Sequence, residues 1–267
     1  MRITYLIIFI CVIVFFLEQS ETLLPHLVLQ PVSLFERPWT LFFSLFSHAD
    51  LEHLFFNMFA LFMFGPVLED RIGSGRFLFV YLLAGLVGGI GFMLFNSPFD
   101  TALGASGAIY GILGALVLLT PNLTVYFYLV PIPMWIAGPV YALIEIFALG
   151  SADNIAHSAH LLGFAGGLLL VARERGPAWP PKPPMELWKA LGIPIALSLM
   201  VGLAFGAYYL SDPVNSKMLG CENKDTASLA RSCFLGISKE YKNSPQQQAY
   251  ICSEYDRLFQ DNSCRGV

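Results

Sequence analysis

Seven long apolar segments constrain this chain more than any other feature. They lie at residues 3–17, 53–68, 77–95, 102–119, 130–149, 155–171 and 190–210. A helix that crosses a bilayer needs about 20 mostly apolar residues, within a range of about 17–25. Of the residues, 56% are hydrophobic and 13% are charged, against about 45–50% and about 25% in soluble domains. The sequence therefore predicts an all-α membrane protein.

A proline-rich stretch at residues 178–184 divides the chain. Proline lacks an amide donor and crowds the preceding turn, so a helix does not continue through it. We therefore expect a six-helix core at residues 1–175, a cytoplasmic linker at 176–189, a seventh transmembrane helix at 190–210 and a tail at 211–267.

Lysine and arginine residues in the short connections indicate the orientation, because cytoplasmic loops carry an excess of both. Arg71 and Arg76 follow the second predicted span, and Lys182 and Lys189 lie in the linker. We expect a multi-pass protein of the plasma membrane, with a cytoplasmic N-terminus and an extracytoplasmic tail. The formal net charge of −4 argues against a nucleic-acid partner, which would require a basic surface.

Four of the five cysteines lie in the tail, at Cys221, Cys233, Cys252 and Cys264. An even, clustered set in a polar segment outside the cytosol is typical of a disulfide framework. Residues 226–241 and 246–259 are predicted to be helical, which favours a helical hairpin with two disulfides. Four cysteines allow three pairings. Zinc is the alternative, but no Cys-x-x-Cys spacing favours it.

The prediction of function depends on polar residues at the N-terminal ends of three predicted spans. The second, fourth and sixth spans run from the outside to the inside, so their N-terminal ends lie at a similar depth. Those ends carry His53 and Asn57, then Ser106, then His157 and His160. Polar groups within spans are costly and therefore indicate function. A nucleophile, a base and hydrogen-bond donors are thus predicted to meet at one level.

Ser106 stands between Gly104 and Gly107 at the start of the fourth span. Glycines permit an unusual turn into the helix, and the free amides of a helix start can stabilise an oxyanion. The alternative is a small residue that only aids helix packing. His160 can accept the hydroxyl proton of the serine. Its alternative is a buried histidine whose hydrogen bond is made to a carbonyl.

Small residues on two spans predict a close contact that would bring His160 to Ser106. They are Gly107, Gly111 and Gly114 on the fourth span, and Gly163 and Gly167 on the sixth. Such residues let two membrane helices approach closely. Positions three and seven residues after His160 share its helix face, so we expect His160, and not His157, to be the base.

Three further side chains complete the predicted site. His53 and Asn57 share one helix face and can donate to an oxyanion, although interhelical hydrogen bonding would also explain them. Tyr110 lies on the Ser106 face and can pack on the imidazole. Glu145 interrupts the fifth span near its outer end. An ionisable group there indicates function by default, but we favour a carboxylate that only reaches the membrane interface and assign it no role.

These motifs together resemble those of rhomboid intramembrane serine proteases, in the same order along residues 3–171. The matching residues are Phe46, Ser47 and His48; His53 and Asn57; Glu69, Asp70 and Arg71; Gly104, Ser106, Gly107 and Tyr110; and His160, Gly163 and Gly167. The resemblance implies a six-helix rhomboid-like transmembrane core, to which this chain adds a seventh C-terminal transmembrane helix.

The resemblance also implies a mechanism. It implies a Ser106–His160 dyad without a third acidic member, and oxyanion contacts from His53, Asn57 and the Ser106 amide. It further implies that Tyr110 stacks beside His160, that water reaches the site from the outer side, and that the fifth span gates substrate access.

The expected function is that of a serine endopeptidase that cleaves transmembrane segments of membrane proteins near the outer face. Its partners would be transmembrane substrates and the lipid bilayer, and it would need no cofactor or metal. A rhomboid-like protein that binds membrane clients without cutting them is the alternative. A metal site built on His48, His53, His157 and His160 is disfavoured. His157-x-x-His160 lacks the i, i+4 spacing of His-Glu-x-x-His, and no glutamate base accompanies it.

Overall fold

A computed structural model describes residues 2–18, 23–127, 130–149, 151, 155–172, 186–222, 224, 227–259 and 264. Helices dominate this part of the chain. The α-helices are α1 (Ile3–Glu18), α2 (Thr40–Phe43), α3 (Leu51–Ile72), α4 (Ser74–Phe95), α5 (Ser106–Leu119), α6 (Met134–Ala148), α7 (His157–Val171), α8 (Leu187–Ser211), α9 (Pro213–Glu222), α10 (Ala227–Glu240) and α11 (Pro245–Phe259). Short 3-10 turns occur at Leu24–His26, Pro31–Ser33 and Ser44–Phe46.

Each predicted span overlaps an apolar helix. By length and composition, Leu51–Ile72, Ser74–Phe95 and Lys189–Ser211 are long and apolar enough to cross a membrane. The apolar helices α1, α5, α6 and α7 are shorter, at 14 to 16 residues. The chain is therefore a mostly helical, multi-pass membrane protein, whereas a count of seven spans stays a prediction.

The prediction of the fifth span, at residues 130–149, is wrong for its first four residues, which form a strand and not a helix. Strands β1 (Thr124–Phe127) and β2 (Val130–Pro133) form an antiparallel hairpin in which Thr124 pairs with Pro133. Prolines at positions 131 and 133 lack amide donors and disfavour helix at its start, so α6 begins only at Met134. Within the described residues the fold is predominantly helical, as expected for an all-α membrane protein, and this short hairpin is its small sheet.

Helices α5 and α7 pack at backbone distance, as the small residues predicted. An ideal Cβ on Gly163 would lie 2.1 Å from the carbonyl oxygen of Gly107, and one on Gly167 would lie 1.8 Å from that of Gly111. Neither position can hold a larger side chain without moving the opposite backbone. This contact fixes the second and third turns of α7 against the first two turns of α5.

A buried carboxylate attaches α1 to α3 at the end of α3 that carries Arg71. Glu69 accepts hydrogen bonds from the amides of Ile3 and Thr4, and from the hydroxyls of Thr4 and Ser74. The residue is 3% exposed. With four donors, the buried charge is well compensated.

Helix α8 packs along α4 and along the connection between α1 and α3, which is called the first loop. An ideal Cβ on Gly206 would lie 2.0 Å from the amide nitrogen of Phe35, and the Tyr209 hydroxyl donates to the Met93 carbonyl. Most of the predicted linker, residues 176–185, lies outside the described residues. Its last three residues are helical, because α8 starts at Leu187.

The tail forms a small helical unit with its own apolar core. Disulfides join Cys221 to Cys233 and Cys252 to Cys264, which confirms a disulfide framework and selects one of the three pairings. The two predicted helices correspond to α10 and α11, whereas α9 was not predicted. Cys11, in α1, is a buried free cysteine.

The tail covers the end of the bundle at which α5 begins. Val32 of the first loop and Phe99 of the α4–α5 connection are buried in the same apolar cluster as the tail core. Ser97 donates a hydrogen bond of 2.5 Å to Glu254 of α11. The first loop, the tail and the N-terminus of α5 therefore lie at one end of the molecule.

Candidate active site

Ser106 and His160 are in direct contact. The Oγ atom of Ser106 lies 2.7 Å from Nε2 of His160. Ser106 is the first residue of α5, and His160 lies in the first turn of α7 at 8% exposure. The two residues are 54 positions apart in sequence, and the glycine contact of α5 and α7 brings them together. The arrangement lets a neutral imidazole accept the serine proton.

Gly104 shapes the approach to Ser106. Its φ of +118° lies in a region that side chains disfavour, and its amide donates to the Ser44 carbonyl at 2.8 Å. An ideal Cβ there would lie 2.7 Å from Nε2 of His53 and 3.9 Å from Oγ of Ser106. The missing side chain therefore lets the His53 ring lie against the Gly104 backbone, close to Ser106.

Asn57 contacts His53, and Tyr110 contacts His160. Asn57 is 6% exposed, and its side-chain nitrogen donates to the His53 carbonyl at 2.9 Å; an amide nitrogen carries a second N–H. The Tyr110 ring stacks on the His160 ring, with centroids 4.4 Å apart and planes 7° apart. The predicted packing of Tyr110 on the imidazole is confirmed, and the ring restricts how His160 can turn.

His48 lies in the loop that precedes α3, and its ring contacts the ring of His53. The two rings meet edge to face with centroids 5.2 Å apart. Burial lowers the pKa of His48 to about 4, because desolvation disfavours its charged form. His48 is thus a neutral packing partner of His53.

Glu145 corrects an expectation from the sequence. Its carboxylate does not reach the membrane interface, because the residue is 4% exposed. Oε2 lies 2.6 Å from Nδ1 of His157, and Oε1 lies 3.1 Å from Nδ1 of His160. The Tyr110 hydroxyl donates to Oε1. An acidic side chain therefore contacts His160, and neither the sequence nor the resemblance predicted this contact.

Glu145 and His160 are in close contact, but without good hydrogen-bond alignment. Nδ1 of His160 is buried and has no aligned hydrogen-bond partner among the described residues, despite the 3.1 Å distance. Catalytic hydrogen bonds are often misaligned before substrate binds. The distance therefore allows the bond to form after a small rotation of the ring.

Glu145, His157 and His160 also have the composition of a metal site. One ligand atom from each lies within 4.8 Å of the others. The sequence spacing disfavours a histidine-based metal site because no glutamate lies nearby, but α6 brings Glu145 to both rings. The three groups engage one another directly in the described structure, so a chelator control belongs in any activity assay.

Comparisons with known proteins identify relatives of this chain. A family model described as the Rhomboid domain matches residues 36–175. The chain is 36% identical over 140 residues to YdcA of Bacillus subtilis (strain 168), covering 49% of this chain and 65% of that protein. It is 38% identical over 137 residues to the rhomboid protease GluP of the same organism, covering 50% and 25%.

A third relative is the rhomboid protease GlpG of Klebsiella pneumoniae, 27% identical over 175 residues, covering 62% of this chain and 61% of that protein. The matches thus span less than two thirds of each of these three relatives. The family model, in contrast, covers more than half of the present chain and includes Ser106 and His160. The chain belongs to the rhomboid family.

Proposed function

We propose that this protein is an intramembrane serine endopeptidase that uses Ser106 as its nucleophile and His160 as its base. The 2.7 Å contact between Ser106 Oγ and His160 Nε2 carries the proposal. The names of GluP and GlpG as proteases support it. A protein that only binds membrane clients has no need of this contact, which favours cutting over binding.

The side chains present suffice for a balanced acyl-transfer cycle. Ser106 Oγ attacks the scissile carbonyl carbon while its proton passes to His160 Nε2, and the carbonyl π electrons move onto the oxygen. The C–N bond then breaks, and the amine nitrogen takes that proton from Nε2. Water attacks the acyl ester of Ser106, with His160 accepting the water proton and returning it to Oγ.

The proposed oxyanion site lies beside Ser106, where the His53 ring meets the Gly104 backbone. His53, the second N–H of Asn57 and the amide of Ser106 would donate to the oxygen there. The Ser106 amide belongs to the first turn of α5, where backbone N–H groups have no partner within the helix. Preorganised donors in a water-poor site stabilise a developing charge strongly.

The lengths of the helices support cleavage below the membrane surface. Helix α5 has 14 residues and is therefore about 21 Å long, shorter than the hydrocarbon core of about 30 Å. An α5 that reaches the cytoplasmic face begins within the outer leaflet. Ser106 would thus act on transmembrane substrates inside the bilayer, near its outer face.

The disulfides support an outward-facing site in the plasma membrane. Disulfides persist in oxidising compartments, and the tail that contains them lies at the same end of the molecule as the N-terminus of α5. We therefore propose an extracytoplasmic tail and a cytoplasmic N-terminus, with water reaching Ser106 from outside.

Helix α6 is the proposed gate for substrates. Its buried residues are Met134, Ala137, Gly138 and Glu145, whereas Trp135 and Phe147 are 55% and 86% exposed. An apolar, weakly buried helix beside the site can face lipid and move with less loss of packing than α5 or α7.

The function is tested with purified protein in liposomes that contain a single-pass substrate. We expect a cut within the substrate's transmembrane segment, no cut with His160→Ala, and a retained, weaker cut with His157→Ala. Activity should survive a chelator, since no step needs a metal. If His157→Ala is inactive and His160→Ala cleaves normally, the base has been assigned wrongly. Loss of activity with the chelator would favour the metal alternative.

A further inference from the structure

The carboxylate of Glu145 lies beside Nδ1 of His160, the ring nitrogen that does not contact Ser106. We infer that Glu145 is a positioning residue that acts through His160: it orients the ring and stabilises the imidazolium that forms when Ser106 loses its proton. The inference rests on the proposed function. It adds Glu145 to the Ser106–His160 pair as a third member that accepts no proton.

The carboxylate of Glu145 is fixed in place by two groups besides His160. The Tyr110 hydroxyl donates to Oε1, and Nδ1 of His157 lies 2.6 Å from Oε2. With a side-chain exposure of 5%, the carboxylate has little solvent to turn toward. Tyr110 and His157 therefore hold it within 3.1 Å of Nδ1 of His160. Fixing the acid is a role that accounts for His157.

The charged form of His160 needs the acceptor that Glu145 supplies. An imidazolium has two N–H donors, and after proton transfer Nε2 is committed to Ser106 or to the leaving amine. Nδ1 is buried, and no other aligned acceptor for it occurs among the described residues. Stacking on Tyr110, at 4.4 Å and 7°, opposes turning of the ring out of its plane but not a small shift parallel to the Tyr110 ring. That motion can align Nδ1–H with Oε1.

The membrane setting increases the value of such a partner. A charge in a low-dielectric site interacts more strongly with a fixed counter-charge than a charge in water does. In soluble serine proteases, a carboxylate on Nδ1 holds the imidazole in orientation and stabilises the imidazolium without taking its proton. The same division of roles follows here from the contacts of Glu145.

A purely structural role is the competing explanation, because Glu145 also joins α6 to α7. The two explanations rank substitutions differently. Glu145→Gln keeps the size of the side chain and removes its charge, whereas Glu145→Asp keeps the charge and shortens the side chain. If charge at His160 matters, Asp retains more kcat than Gln. If only packing matters, Gln is at least as good as Asp in kcat and in stability.

Glu69→Gln provides a matched control. Glu69 is likewise buried and hydrogen bonded, but it lies 16 residues after His53 on α3, which corresponds to about 24 Å. We expect Glu69→Gln to lower the Tm and leave the kcat of the folded fraction unchanged. This separates loss of a buried carboxylate in general from loss of the one beside His160.

The test measures kcat, KM and the rate at which a fluorophosphonate labels Ser106. Replacing the acid of a soluble triad by its amide lowers kcat about 10⁴-fold. Because the Glu145 contact is misaligned at rest, we expect Glu145→Gln to lower kcat by about 10- to 10³-fold with KM unchanged. Labelling should slow in parallel, and Glu145→Asp should be intermediate.

Wild-type kcat in a folded Glu145→Gln variant would overturn the inference, as would a Gln variant faster than the Asp variant. Wild-type protein that neither cleaves nor labels would instead overturn the proposed function. Should the Gln variant not fold, NMR of ¹⁵N-histidine in the wild-type fluorophosphonate adduct gives the answer. We expect a strongly downfield Nδ1–H proton for His160, and its absence would refute the contact.

Discussion

Substituting Gly163 by alanine tests the helix contact on which the site depends. An ideal Cβ at this position would lie 2.1 Å from the Gly107 oxygen and 2.9 Å from its carbonyl carbon. Both atoms are backbone, so no side chain can rotate aside. Because carbon contacts are comfortable only at about 3.5–4.0 Å, α5 and α7 must separate by roughly 1 Å.

The separation has one consequence for stability and another for rate. Overpacking costs about 1–3 kcal/mol, and the higher helix propensity of alanine offsets about 1 kcal/mol of that. His160 lies one turn before Gly163, so it moves away from Ser106 with α7. A displacement of 1 Å can cost about 10²-fold in rate. We therefore expect a modest loss of Tm and about a 10²-fold loss of kcat.

The assay is cleavage of a transmembrane substrate, normalised to the folded fraction. Gly192→Ala is the matched control, because among the described residues no atom of another element lies within 4 Å of its ideal Cβ on α8. It should keep the wild-type kcat and gain up to about 1 kcal/mol from helix propensity. A Gly163→Ala variant with wild-type kcat and Tm would refute the packing argument.

Three further outcomes are expected. The double substitution His53→Ala/Asn57→Ala should lower kcat by at least about 10²–10³-fold, the loss typical of one oxyanion donor, and a normal kcat would exclude the oxyanion role. Mass spectrometry of protein isolated without reductant should find the two tail disulfides in consecutive pairs, and four free thiols would contradict this. Because the pKa of His48 falls from 6.5 to about 4 on burial, the unfolded chain binds an extra proton between these pH values. The free energy of unfolding should therefore fall by up to about 1.4 kcal/mol per pH unit on acidification. It should depend less steeply on pH in His48→Asn than in the wild type. Equal slopes in the two proteins would show that the assignment to His48 is wrong.

The apolar helices could be predicted because a long run of apolar residues is typical of a helix that crosses a membrane. Residues 3–17 and 155–171 correspond to α1 and α7 within two residues at either end. The start of α6 was not predictable from hydropathy, since the apolar residues of β2 resemble the start of a span. Prolines in β2 were the signal for that boundary.

The site was predictable where sequence spacing carries its geometry. Gly163 and Gly167 share a helix face with His160, and their tight contacts with α5 follow from that spacing. The position of Glu145 depends on how α6 packs against α7, which no local spacing encodes. An acidic residue within a span was the available signal. The disulfide pairing likewise required the packing of α9, α10 and α11.

The central claim is that His160 activates Ser106 as a nucleophile, and covalent labelling tests it most directly. Purified wild-type protein is exposed to a fluorophosphonate, and the modified residue is identified by peptide mass mapping. We expect one adduct, on Ser106, and none on Ser106→Ala or, at the same exposure, on His160→Ala. An adduct on another serine, or equal labelling of Ser106 in His160→Ala, would contradict the account.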